Sequence, residues 1–319
     1  MAALGSTSGL ALMNGCKGIN HYNPKEDGGC AVALGYDVDM PYGGNDYLYD
    51  KNLPWKGKDG RDAHGHLNDD IRKYVEKLVT IAETFNAKLQ FFIQGNTFEV
   101  LEDVHIWRNV AAMGHAIDSH MYNHESMLML TPEAVRSQLK RTKELIETGL
   151  KTENMGLRGP WGYPNGIKDR EDIQQAVLEV GIKWVSTQFS FGQLGNDKDW
   201  VKKIPDQQPY FYKTGLLEIP FSGHQDRTFF DPDIPGGDPE KSADDWIAYL
   251  KQCVDIAYDQ NLFLALTVHP STSFKHDPEA RYVKELFEYC RQKPDIKICT
   301  YRDFYNWIDH DPSDCFRNA

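Results

Sequence analysis

Beyond its first sixteen residues the chain holds no stretch long and apolar enough to cross a bilayer, so no spanning helix is expected. Basic runs are missing too. Lys and Arg number 35 against 47 Asp and Glu, a formal net charge of −12, so neither nucleic acid nor an anionic membrane surface is an expected partner. No GxGxxG follows the first strand-like run and no GxxxxGK[ST] occurs, which removes the usual dinucleotide and phosphate-loop readings. The six cysteines, at 16, 30, 253, 290, 299 and 315, lack zinc-ribbon spacing. Cys30 and Cys299 lie in apolar runs and read as buried thiols; Cys290 is near Cys299, but spacing alone does not pair them. There is no internal repeat and no low-complexity linker.

What is present begins with "MAALGSTSGLALMNGC", small, apolar and uncharged up to Cys16. It reads as the apolar part of an export signal without its basic start, and "LMNGC" is similar to a bacterial lipobox with Met13 in place of the usual Leu. The expectation is an exported, envelope-located protein with a lipid anchor at Cys16; the alternative is a plain N-terminal tail on a cytoplasmic protein. Residues 1–29 are set apart on this basis, and 30–319 are read as one catalytic domain. At 319 residues the chain is of ordinary size for one α/β barrel.

From residue 30 onward strand-like and helix-like runs alternate. "CAVALGYDV" is a continuous apolar strand, and "NDDIRKYVEKLVTIAETF" places Ile71, Val75, Leu78 and Ala82 on one helical face. "KLQFFIQG", "HAIDSH", "MGLRGP", "KWVSTQF", "GLLEIPF", "LFLALTVH" and "DIKICTY" read as further strands. Between them lie helices, among them "TFEVLEDVHIWRNVAAMG" and "TPEAVRSQLKRTKELIETG", the second with Thr131 as N-cap and Pro132 at the first helical position. This order predicts a parallel sheet covered by helices, and seven or eight units suggest a distorted (β/α) barrel rather than an open sheet. Residues 41–68 form one long irregular stretch rich in Gly, Asp, Asn and aromatics, a candidate lid or binding loop.

Catalytic groups of a parallel barrel come from the C-terminal ends of its strands. Those ends carry Asp37 and Asp39, then His120 with His124 close behind, then Arg158 and Trp161, and finally His269. Alternation puts Asp37 and Asp39 on one side of their strand. The i, i+4 spacing of His120 and His124 lets two imidazoles meet one ion from a helical turn, although a lone HxxxH is more often unconnected with metal. Two histidines and one aspartate make a facial triad with open positions, suited to Zn²⁺ or a similar divalent ion.

"GYDVD", "GHAIDSHMYNH", "RGPWGYPNG" and "LTVHP" together resemble the NodB-homology polysaccharide deacetylases, carbohydrate esterase family four, over roughly residues 30–308. The branch most similar includes bacterial peptidoglycan-deacetylase-like and allantoinase-like proteins. The resemblance implies a distorted barrel of about seven parallel strands and a divalent metal, commonly zinc, held by Asp39, His120 and His124. It also implies Asp37 as general base held by Arg158, His269 as general acid, and an oxyanion site near the Trp161 backbone. Trp161, Tyr163 and Asp226 are the candidate substrate or oxyanion residues, and Asp226 doubles as a candidate acidic partner for His269. The family's adjacent Asp-Asp is Asp37-Val38-Asp39 here, and Val185 stands where an acidic residue is often found. His115 matches a structural Gly-His turn. His64 and His66, and the stacking candidates Tyr49 and Trp55, lie in the long irregular stretch. The leading expectation is N-deacetylation of an amino-sugar glycan. Opening of a small cyclic amide or ureide, and a non-catalytic glycan-binding protein, are the alternatives.

Overall fold

The computed structural model describes residues 29–39, 67–189, 197–232 and 237–308. Its strands are β1 (Ala31–Val38), β2 (Gln90–Ile93), β3 (Ala116–Ser119), β4 (Gly156–Tyr163), β5 (Trp184–Gln188), β6 (Tyr210–Phe211), β7 (Leu217–Glu218), β8 (Phe263–Val268) and β9 (Lys297–Cys299). Its α-helices are α1 (Asp69–Thr84), α2 (Leu101–Ala112), α3 (Pro132–Leu150), α4 (Glu171–Glu179), α5 (Asp197–Lys202), α6 (Asp226–Phe230), α7 (Ala243–Asp259), α8 (Pro270–His276), α9 (Arg281–Arg291) and α10 (Tyr301–Trp307).

The strands form one sheet in the order β6-β7-β5-β4-β3-β2-β1-β8, with β9 also on β1. Every pairing is parallel except β6 with β7. The sheet curls into a half-barrel, and its two ends are joined by hydrogen bonds outside regular strands. Ser222 N donates to Ala265 O of β8 at 3.0 Å, and Ala265 N donates to Ser222 Oγ at 2.9 Å. The expected distorted barrel of about seven parallel strands is thus the observed fold, with β6 and β9 as additions.

Strand β1 shows why it folds this way. Its even residues Val32, Leu34, Tyr36 and Val38 join the large cluster that includes Val75 and Leu78 of α1 and Val283 of α9. Its odd residues Ala31 and Ala33 face the barrel interior, which is filled by Phe92, Trp184, Phe263 and Tyr301. Gly35 belongs to this small-residue face. A Cβ there would stand 2.9 Å from the Tyr301 ring and 3.3 Å from the Arg158 guanidinium, so the missing side chain makes room for a buried arginine. Helix starts follow local rules. Asn68 Oδ1 accepts from Ile71 N, Thr131 Oγ1 from Ala134 N, and Ser242 with Asp245 forms a reciprocal cap on α7.

Two element readings are corrected. The run 97–114 is not one helix: a 3-10 turn covers Gly95–Glu99, extended Val100 interrupts, and α2 begins at Leu101. The run "GLLEIPF" keeps strand geometry only at Leu217–Glu218, because Pro220 offers no N–H. The neighbouring Ile219 and Phe221 still donate to Val185 O and Gln188 O, at 2.8 and 3.1 Å. Cys30, Cys290 and Cys299 are buried free thiols, as expected for Cys30 and Cys299, and burial pushes Cys30 up to about 12.

Candidate active site and metal centre

The strand ends bring the predicted residues together. One ligand atom each from Asp39, His120 and His124 lies within 4.8 Å of the others, and all three residues are buried. Asp39 directly follows β1 and His120 directly follows β3. The route from His120 to His124 is a correction. Residues 120–126 are not helical, and the i, i+4 pair meets through left-handed backbone at Met121 (φ 64°) and His124 (φ 58°). Neither is glycine, so the loop is held in place by its surroundings: Met121 N donates to Ser119 Oγ, and Met121 O and Tyr122 O accept from the N–H groups of Gly95 and Asn96.

Tautomers follow from partners. His120 Nδ1 is 2.8 Å from Arg158 O, and a carbonyl only accepts, so Nδ1 carries the proton and Nε2 keeps its lone pair. That Nε2 is buried and has no hydrogen-bond partner among the described residues. Burial holds the His120 imidazolium well below its ordinary range, so the ring is neutral. A buried, neutral, orphaned imidazole nitrogen beside a carboxylate fits a divalent ion. Burial alone would raise the Asp39 carboxyl. His269 and His124 outweigh it and hold the group far below the usual carboxylate range. His124 Nε2 is 3.1 Å from Asp39 Oδ2.

Two further charge pairs flank this triad. Asp37 Oδ1 lies 3.4 Å from Nε of Arg158, itself fully buried. The guanidinium also donates to Thr267 Oγ1 and Tyr301 OH, both at 2.9 Å, and lies 3.9 Å from the Phe221 ring centroid. Burial raises the Asp37 carboxyl to about 6, against the pull of Arg158 and His269. On the other side, His269 at the start of α8 is 2.7 Å from Asp226 Oδ1 through Nδ1, and its backbone N–H donates to Asp226 Oδ2 at 2.8 Å. Burial would lower the His269 imidazolium, but Asp226 and Asp39 outweigh it and the net direction is up. His269 Nε2 points back toward the triad, 3.9 Å from Asp39 Oδ2.

The substrate and oxyanion candidates separate. Trp161, partly exposed with φ 76°, holds its ring 5.3 Å from that of His124. Tyr163 turns inward instead: its ring belongs to a core cluster and its hydroxyl accepts from Met127 N at 2.8 Å. Asp226 is fully buried behind His269, so of its two readings the acidic partner is the one the geometry matches and the oxyanion reading is corrected. His115 accepts Leu89 N–H on Nδ1 at 3.0 Å, a structural contact. Cys16, Tyr49, Trp55, His64 and His66 lie outside the described residues.

Sequence reasoning missed two buried carboxylates that brace the barrel. Asp118 of β3 accepts hydrogen bonds from Gln90, Asn154, Met155, Gly156 and Arg302. Glu218 of β7 accepts from Thr187 N, Thr187 Oγ1, Gln188 N and Tyr212 OH. Tyr212 OH in turn accepts from Ile167 N at 3.0 Å and so anchors the loop that follows Trp161 and Tyr163. The signal was there: a charged residue inside an otherwise apolar strand must be paired.

Residues 61–185 match the polysaccharide deacetylase family model. That stretch includes His120, His124, Arg158 and Trp161 but not Asp37, Asp39, Asp226 or His269. The chain is 34% identical over 112 residues to the YlxY protein of Bacillus subtilis, covering 35% of this chain and 31% of that protein. It is 25% identical over 130 residues to a peptidoglycan-N-acetylglucosamine deacetylase of Bacillus cereus, covering 40% of this chain and 42% of the relative. The matches therefore span less than half of these two relatives' own length. In fold the chain is similar to a Mycobacterium smegmatis structure assigned as a polysaccharide deacetylase, with TM-score 0.64, 21% identity, and 88% of this chain and 90% of that one covered. Residues 61–185 are thus similar to the polysaccharide deacetylases, and the fold is that of NodB-type deacetylase structures.

Proposed function

We propose that the protein is a metal-dependent amide hydrolase that removes N-acetyl groups from an amino-sugar glycan. The observation that carries this reading is the convergence of the Asp39–His120–His124 triad with the Asp37–Arg158 and His269–Asp226 pairs on one end of the barrel. Asp39, His120 and His124 would hold the ion, which supplies Lewis acidity toward a carbonyl oxygen and makes water more acidic. Asp37, raised to about 6 by burial, would take a proton from the attacking water, and Arg158 would keep its carboxylate aimed. His269 would carry a proton on Nε2 to the departing amine, since Nδ1 is committed to Asp226. A backbone N–H near Trp161 would meet the developing oxyanion.

The relative named a peptidoglycan-N-acetylglucosamine deacetylase supports the substrate class. Export, as expected from residues 1–16, would bring the enzyme to such a glycan, and fractionation of source cells tests that separately. The direct test assays zinc-loaded protein against N-acetylglucosamine oligomers, peptidoglycan and cyclic ureides. Acetate release from the glycans is the expected outcome. Turnover of ureides alone would replace the substrate class, and no turnover of either by fully loaded protein would sink the hydrolase reading.

A further inference from the structure

The end of β2 carries a polar residue with no part in the chemistry above. Gln94 follows Ile93, whose register partners are Val38 on β1 and Ser119 on β3. One step further along the three strands, Gln94 is level with Asp39 and His120, and His120 N donates to Ile93 O at 2.7 Å. Its backbone is still extended (φ −80°, ψ 147°), so strand alternation continues through it. It therefore shares a face with Phe92, whose ring meets Trp184 and Tyr301 in the barrel interior. Neighbouring strands run about 4.8 Å apart, which sets Gln94 between two of the three metal-ligand candidates.

Gln94 is fully buried, and neither Oε1 nor Nε2 has a hydrogen-bond partner among the described residues. Buried carboxamides with both ends unspent are rare in folded proteins and call for a ligand or an ordered water. A cation would use only Oε1 and leave the NH₂ group orphaned. An N-acetylated sugar offers both acceptors, in its carbonyl and hydroxyl oxygens, and donors, in its N–H and O–H groups.

We propose that Gln94 is a substrate-binding residue of this site, donating from Nε2 to an oxygen of the acetylated sugar and accepting on Oε1 from its N–H or O–H. This rests on the amide-hydrolase reading. The test uses a zinc-loaded Asp37→Asn background, where turnover is silenced, and compares Gln94 with Gln94→Met, which keeps the bulk and removes the hydrogen bonds. Calorimetric binding of tri-N-acetylated glucosamine oligomer should weaken about tenfold for one lost hydrogen bond and up to about a hundredfold for two. Zinc stoichiometry should not change. The metal-free unfolding midpoint should stay level or rise, because an orphaned amide has been replaced by a thioether. With Asp37 intact, the same substitution should raise KM by the same factor and leave kcat nearly untouched. Unchanged affinity, as expected if Gln94 meets only a buried water, overturns the proposal. So does loss of zinc, a lowered metal-free midpoint, or failure of the Asp37→Asn protein to bind the oligomer. Binding that depends on Gln94 without turnover by the Asp37 enzyme would overturn the hydrolase reading and leave the Gln94 assignment standing.

Discussion

Substituting Asp118 by Asn removes one charge from a buried carboxylate that accepts five hydrogen bonds and changes little else. Oδ1 accepts from Met155 N, Gly156 N, Asn154 Nδ2 and Arg302 Nη2 at 2.8, 2.9, 3.1 and 3.0 Å, and Oδ2 accepts from Gln90 Nε2 at 2.9 Å. Asn would keep Oδ1, and the Gln90 amide can turn its unpartnered Oε1 toward the new NH₂ group. The loss is then the extra strength of hydrogen bonds to a charged acceptor, about 0.5–1.5 kcal/mol each over four bonds and partly overlapping. Arg302, whose side chain keeps 17% exposure and two carbonyl partners, moderates the loss of its ion pair. The expected destabilisation is about 2–4 kcal/mol, read by urea unfolding of the metal-free protein. Asp118→Ala should exceed it, because two backbone N–H groups and Asn154 Nδ2 lose an acceptor in the interior. Two results would refute this reasoning: an Asp118→Asn midpoint equal to wild type, or loss of zinc affinity with stability intact, which would make Asp118 a metal ligand instead of a brace.

Four further outcomes are expected. His124→Ala should lose most of the one zinc ion expected per chain, measured by metal analysis after loading. Asp37→Asn should keep its zinc and lose turnover by roughly 10²–10⁴-fold, the usual range for a removed general base. His269→Ala should harm acetamides far more than activated acetate esters, whose leaving group needs no proton; an equal loss on both, with a lowered melting temperature, would remove His269 from the chemistry. His115, pushed down to about 4 by burial and by Lys88 against the pull of Glu83, takes up a proton later in the folded state than in the unfolded one. Stability from this residue is therefore intact above about pH 6.5 and is lost toward pH 4, on the order of 3 kcal/mol in total. His115→Asn, which can still accept from Leu89 N–H, should flatten that part of the stability profile, and an unchanged slope between pH 7 and 5 would count against it.

The strand-then-helix order and the polar residues at strand ends were legible because both are local. An apolar run such as the first six residues of β1 can only be a buried strand or a helix piece, and the polar residues after it mark its end. Once strand ends are known, Asp37, Asp39, His120, Arg158 and His269 stand out as polar groups where a parallel barrel gathers them. The alternation of Ala31, Ala33 and Gly35 with Val32, Leu34 and Tyr36 is also present in the sequence, beneath its continuous apolarity. It encodes two packing faces of different depth, one against large aromatics and one against helices.

Other features had no local signature. The spacing of His120 and His124 is the same on a helix and on a loop with two left-handed residues; only the contacts of Met121 and Tyr122 with Ser119, Gly95 and Asn96 select the loop. The sequence named Asp226 but left open whether it faces the substrate or backs His269, since 43 residues separate the two and the packing of α6 on α8 decides. Along the chain Asp118 and Glu218 look like ordinary members of apolar strands, and Gln94 like the residue that ends one. By itself the sequence determined the order of elements, the resemblance to one family and the polar residues at the strand ends, because periodicity and motif need only neighbours along the chain. The tertiary structure alone decided which buried polar groups are paired and which, like His120 Nε2 and both ends of Gln94, have no partner among the described residues, because a hydrogen bond depends on ångström distances between strands that the chain brings together from far apart.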